Sequence, residues 1–212
     1  MKTPEWITFD CYGTLIDWES GAREVFAELA SLHHLTISPQ EVFDRWEAIQ
    51  FRMIQGSYRR YREILRESLG ETLRELGANP TEGDCNLLAD RLPTWKPFVE
   101  VPGALKRLKS RSKLGIISNI DNDFIAATVP QLGVTFDAVI TAEQAQAYKP
   151  NPAPFQLALE KLGAAPSAIL HTAFGFRYDL GLAHPAPTSK SEVSNNWPSN
   201  LIFKESTQNH DR

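Results

Sequence analysis

"WITFDCYGTLIDW", residues 6–18, opens as a strand and closes as a turn. Trp6, Ile7, Thr8 and Phe9 make a short run rich in strand-favouring residues, as a buried strand does. Asp10 stands where that run stops. Gly13 and Thr14 follow in a tight turn, whose backbone N–H groups and hydroxyl are suited to holding an anionic group. In open α/β sheets, ligands sit outside the carboxyl ends of the strands, so an acid at this place is a candidate for chemistry. Two residues on stands Tyr12 rather than a second acid, and that choice also needs a chemical reason.

Working outward, short apolar runs alternate with longer amphipathic ones from Leu114 onward. "LGIIS" (114–118), "DAVIT" (137–141) and "ILHTA" (169–173) are short and bounded, the mark of buried parallel strands. Between the last two lies a helix with Phe155, Ala158, Leu159 and Leu162 at helical spacing, stopping at Gly163. Together with the first strand this predicts an α/β fold, a Rossmann-like doubly wound parallel sheet. Residues 18–95 read as four helices and no strand. Ser38, Pro39 and Glu41 form a capped start for the second helix, and Thr81 precedes the fourth. The expected organisation is a core from residues 1–17 and 96–184, a helical cap from 18–95, and a tail over 185–212. The tail, broken by Pro185, Pro187 and Pro198, reads as largely irregular, with only Leu201, Ile202 and Phe203 able to add a short strand.

Composition bounds the function. The 212 residues are 42% hydrophobic and 23% charged, with a net charge of −4, so no basic field invites nucleic acid or an anionic membrane. No stretch approaches the apolar length that spans a bilayer. The first strand begins almost at once, leaving no room for a signal peptide, and Cys11 and Cys85 form no metal-type spacing. The default setting is reducing and cytoplasmic, and the default partner is a small molecule.

The strand ends collect a small set of polar groups. Asp10 ends the first strand, and Ser118 and Asn119 end the second. Lys149 lies beyond the third, and Asp179 follows the fourth. Each also has a plainer use. Asp10 could cap a turn, Ser118 and Asn119 could cap the helix near Asp121, Lys149 could be a solvated lysine, and Asp179 a helix N-cap. Trp46, Tyr58 and Tyr61 read as packing within the cap, His171 as a core histidine, and the "YRRYRE" charges (58–63) as a solvated face.

In this order and spacing, "FDCYGTL" (9–15), "ISN" (117–119), "YKPNPAPF" (148–155) and "RYDLG" (177–181) resemble the haloacid dehalogenase superfamily, closest to its type II L-2-haloacid dehalogenase branch. The resemblance implies a hydrolase that turns short L-2-haloacids into 2-hydroxy acids through an aspartyl ester, without a cofactor. Asp10 would be the nucleophile, Thr14 would orient it and Lys149 would neutralise the crowded negative charge. Asp179 would orient or deprotonate the hydrolytic water. Tyr12 would wall the substrate pocket, Ser118 and Asn119 would bind or position the substrate carboxylate, and Arg52, in "RMIQGSY" (52–58), would sit over the leaving halide. Tyr12 fits this chemistry. A phosphatase of the superfamily uses an acid there to protonate a leaving alcohol, whereas halide leaves without a proton.

Two alternatives stand beside this reading. One is a Mg²⁺-dependent phosphatase with Asp10, the Tyr12 carbonyl and Asp179 as metal ligands, against which the missing acid at position 12 counts. The other is an inactive, HAD-like binding protein with an aberrant C-terminus. Phe174, Gly175, Phe176 and Arg177 occupy places where the branch usually has Ser and Asn, which bears on the water-activating half of the reaction. After His184 the resemblance stops. A sheet edge left open by a missing strand would favour pairing between copies, as a homodimer or as aggregate.

Overall fold

The computed structural model describes residues 3–174 and the pair 202–203. Five parallel strands form one sheet in the order β3-β2-β1-β4-β5. They are β1 (Trp6–Phe9), β2 (Lys113–Ser118), β3 (Ala138–Thr141), β4 (Ile169–Ala173) and β5 (Ile202–Phe203). The α/β, Rossmann-like expectation holds. β1 is buried at all four positions because it lies mid-sheet with helices on both faces, which is why it reads as a continuous run and not as an alternation. Ile202 and Phe203 pair with Thr172 and Ala173, so the short strand expected in the tail lies along the β4 edge. The rest of 185–212 lies outside the described residues.

Four helices fill the stretch 18–95 after β1: α1 (Trp18–Leu32), α2 (Pro39–Ile54), α3 (Tyr61–Glu75) and α4 (Glu82–Arg91). Their apolar stripes meet around Phe26, Phe43 and Trp46, which pack edge-on or tilted with ring centroids 5.5–6.1 Å apart. Trp46, whose side chain is fully buried, donates its indole N–H to Ser68 Oγ. The chain then continues through α5 (Val101–Lys109), α6 (Asn122–Thr128), α7 (Ala142–Ala145) and α8 (Ala153–Leu162). The short α7 has no sequence counterpart above, since four residues are too few to show a period. Among the described residues, no helix is long and apolar enough to cross a membrane.

The predicted helix starts are visible as hydrogen bonds. Ser38 and Glu41 close a full capping box on α2, and Thr81 and Asp84 close another on α4. Asp84 takes three donors, the Thr81 N–H at 2.7 Å, the Thr81 hydroxyl at 2.9 Å and His33 Nε2 at 3.2 Å. The Thr81 backbone bond, first, holds its carboxyl below the ordinary value of 3.8, with the Thr81 hydroxyl and His33 adding to it. A carboxylate with a lowered folded-state pKa stabilises the fold above its unfolded value and loses that contribution as pH falls through the folded one. Asp84→Ala should therefore cost about 1 kcal/mol at neutral pH. Urea melts of both proteins should show the gap closing below pH 3.8, and a gap that persists unchanged into acid would contradict the capping account.

Candidate active site

β1 delivers Asp10 to the carboxyl edge of the sheet, where its backbone N–H is tied to Thr172 O of β4 at 3.0 Å. The next residues turn sharply. Cys11 O accepts from the N–H groups of Thr14, Leu15 and Ile16, and the Gly13 N–H goes to Ile16 O. The turn thus consumes the N–H groups of residues 13–16 within itself. Gly13 has φ +94°, and a Cβ there would lie 2.9 Å from the Trp18 indole nitrogen, so only glycine fits.

Asp10 sits between two donors. Lys149 Nζ lies 2.9 Å from Oδ1, and the Thr14 hydroxyl lies 3.3 Å from Oδ2. Thr14 Oγ1 in turn accepts the Phe174 N–H at 3.0 Å, which joins the β1 turn to the end of β4. Lys149 is 1% exposed, an ammonium held in the interior against a carboxylate. Asn119 accounts for how it is held. Its Oδ1 accepts the Lys149 N–H at 2.7 Å and its Nδ2 donates to Lys149 O at 3.0 Å. Both ends of the amide therefore grip the backbone of Lys149, an occupation that spacing alone did not suggest. Ser118, 3% exposed, ends β2 one residue earlier.

Tyr12 packs against the core with its hydroxyl 2.8 Å from Thr128 Oγ1. Burial, above all, keeps its phenol protonated well past the ordinary range, with the thiol of Cys11 adding to it. Cys11 is itself fully buried, and burial followed by the charge of Asp10 pushes its thiol up, so it is an inert filler beside the site.

Arg52 is not brought to this group. It lies in the last turn of α2 with its side chain 63% exposed and pairs with Glu71 of α3. The sequence spacing fixed the residue type and the turn, but the α2–α3 packing points it outward. The arginines that do reach the sheet are Arg60 and Arg62. Both pair with Asp123, and Arg60 also approaches Asp121 and Glu143, so this part of "YRRYRE" bridges the insert to the sheet instead of simply facing water. Asp179 lies outside the described residues. Among those described, no three His, Cys, Asp or Glu side chains gather as a metal-binding group.

Three further residues take part in the site's frame. Asp121, fully buried, accepts the N–H groups of Tyr61 at 2.8 Å and Arg62 at 3.0 Å, capping α3 from the sheet. Tyr148, next to Lys149, donates its hydroxyl to Arg59 O at 2.7 Å. Tyr61 follows from these two contacts. The sequence signal was present as polar tips on otherwise apolar positions, but nothing in the spacing says which partner each tip finds.

The sequence profile of the haloacid dehalogenase-like hydrolases matches residues 4–172. The chain belongs to that family. Among haloacid dehalogenase-like hydrolases, haloacetate dehalogenase H-2 of Moraxella sp. (strain B) is 30% identical over 178 residues, covering 80% of this chain and 77% of that one. An (S)-2-haloacid dehalogenase of Pseudomonas sp. (strain YL) is 31% identical over 175 residues, covering 77% and 72%. The fold superposes on the L-2-haloacid dehalogenase of Xanthobacter autotrophicus with chloropropionic acid covalently bound, at a TM-score of 0.67 and 28% identity, over 80% of this chain and 69% of that one. As a haloacid dehalogenase-like hydrolase, the chain is an enzyme whose parallel sheet presents Asp10 at the end of its central strand.

Proposed function

We propose that the chain removes halide hydrolytically from short L-2-haloacids, with the helical insert 18–95 serving as the cap over the site. The observation that supports this reading best is the environment of Asp10, a carboxylate with a buried ammonium on one oxygen and a hydroxyl on the other, and with Tyr12 where a second acid would otherwise protonate a leaving group. A relative that holds chloropropionic acid covalently is consistent with it.

Asp10 attacks C2 of the haloacid in line. A C–O bond forms as the C–halogen bond breaks, and halide leaves with the bonding pair and needs no proton. Lys149 offsets the repulsion between Asp10 and an anionic substrate, and Asn119 keeps Lys149 in place. Thr14 holds the carboxylate plane, and Ser118 offers its hydroxyl to the substrate carboxylate. Water then adds to the ester carbonyl of Asp10. The alkyl oxygen departs as the 2-hydroxy acid, taking one proton, and the second proton goes to a base, the role we assign to Asp179. One solvent oxygen enters Asp10, and the product carries an oxygen that came from it. Tyr12 supplies an apolar wall beside the leaving halide.

The test is chloride release from L-2-chloropropionate by the purified protein, with EDTA and with Mg²⁺. Release that is equal in both, with the configuration at C2 inverted, is the expected result. Phosphate release from phosphomonoesters that requires Mg²⁺, with no chloride release, would replace this reading with the phosphatase.

A further inference from the structure

We propose that Tyr61 is the cap's hydrogen-bond donor to the substrate carboxylate, held in that role by Gln50. This rests on the haloacid reading of the site. Tyr61 is the first residue of α3 and is fixed from three directions. Its backbone N–H goes to Asp121, three residues past Ser118, and its ring packs on Tyr148, beside Lys149, with centroids 6.2 Å apart. Its hydroxyl oxygen accepts from Gln50 Nε2 at 2.9 Å. The end of β2 and the Lys149 loop therefore both touch this one cap residue.

The hydroxyl has chemistry to offer. Because Gln50 donates, the phenol oxygen accepts, and its own hydrogen remains to be given. A hydroxyl that accepts one hydrogen bond donates the next more strongly. Burial, first, and then the charges of Asp121 and Asp10, keep that proton on the ring against the pull of the Gln50 bond. Its ring against Tyr148, beside Lys149, and its backbone bond to Asp121, just past the end of β2, set Tyr61 on the side of the cap that meets the strand ends. A neutral donor suits this position, since a second cation would compete with Lys149 for Asp10. The tie to Asp121 sets Tyr61 on the β2 side, with Ser118, and that side is the one assigned to the carboxylate.

A contact to the carboxylate is made in the ground state and kept in the transition state, so its loss appears in KM. Tyr61→Phe keeps the ring against Tyr148 and removes only the hydroxyl. It should raise KM for L-2-chloropropionate by about 10- to 100-fold, the effect of one hydrogen bond to a charged group, with kcat changed by less than about threefold. Gln50→Leu should give a smaller rise of the same kind. Binding of D-lactate, the expected product, to the wild-type protein and to Tyr61→Phe by calorimetry gives a readout independent of turnover, and should weaken by a similar factor. If the wild type releases no halide yet binds D-lactate, and Tyr61→Phe weakens that binding at least tenfold, the donor assignment stands and dehalogenation falls. If halide release proceeds but Tyr61→Phe leaves KM and lactate affinity unchanged, or lowers kcat or the melting temperature alone, the donor assignment falls and dehalogenation stands. A wild type that neither releases halide nor binds D-lactate overturns both.

Discussion

Asp10→Asn should abolish halide release, a loss of at least about 10⁴-fold, and should lower the melting temperature as well. The first effect follows from chemistry, because an amide oxygen does not displace halide from carbon. The second follows from burial. Lys149 is 1% exposed and lies 2.9 Å from the carboxylate it would lose. Removing one partner of a buried ion pair costs about 3–5 kcal/mol, since the other charge loses that share of its compensation. In a chain of this length that lowers the melting temperature by roughly ten degrees. Halide assays and scanning calorimetry on one preparation separate the two. Residual release above about a hundredth of wild type would remove Asp10 from the nucleophile's place. An unchanged melting temperature would mean that Lys149 is not held by this charge.

Lys149→Met should lower turnover by about 10²- to 10³-fold, the scale of losing one preorganised electrostatic partner at a reacting centre. The thioether has nearly the same length and suits a buried position, so packing survives while the charge goes. Its thermal penalty should be smaller than that of Asp10→Asn, because the Asp10 side chain keeps 14% of its surface in contact with solvent and retains the Thr14 hydroxyl. The decisive comparison is the double variant Asp10→Asn/Lys149→Met, which should melt above Asp10→Asn alone because the buried ammonium is removed together with the carboxylate it faces. Losses that simply add would show that the two groups do not stabilise each other in the folded protein.

Much of the fold could be read along the chain, because it depends on local rules. "ILHTA" becomes β4 over the same five residues, Gly163 takes the left-handed conformation at the end of α8, and Ser38 and Thr81 cap the helices they precede. Asp10, Thr14 and Lys149 were also legible as strand-end groups, and their mutual contacts follow from the parallel order of β1 and its neighbours. What stayed hidden joins residues far apart in the chain. Asp121 spends its carboxylate on α3, about 60 residues earlier, and not on its own helix. Asn119 spends its amide on a backbone 30 residues later. Arg52 and Tyr61 both sit on apolar, helix-forming stretches of the insert, and helical period reports burial without saying which neighbour a buried or exposed tip will meet. Arg52 found Glu71, while Tyr61 found the sheet.

The bond from Asp121 to the start of α3 has a mechanical consequence. The insert is also joined to the sheet where its two connecting segments run side by side, Asp17 N–H to Lys96 O at 2.9 Å and Phe98 N–H to Leu15 O at 3.2 Å. A rigid body pinned at two separate places retains one axis of rotation, the line between them. Any swing of the insert that keeps both pins turns about that line. Tyr61 sits at one pin, so such a swing would move it least.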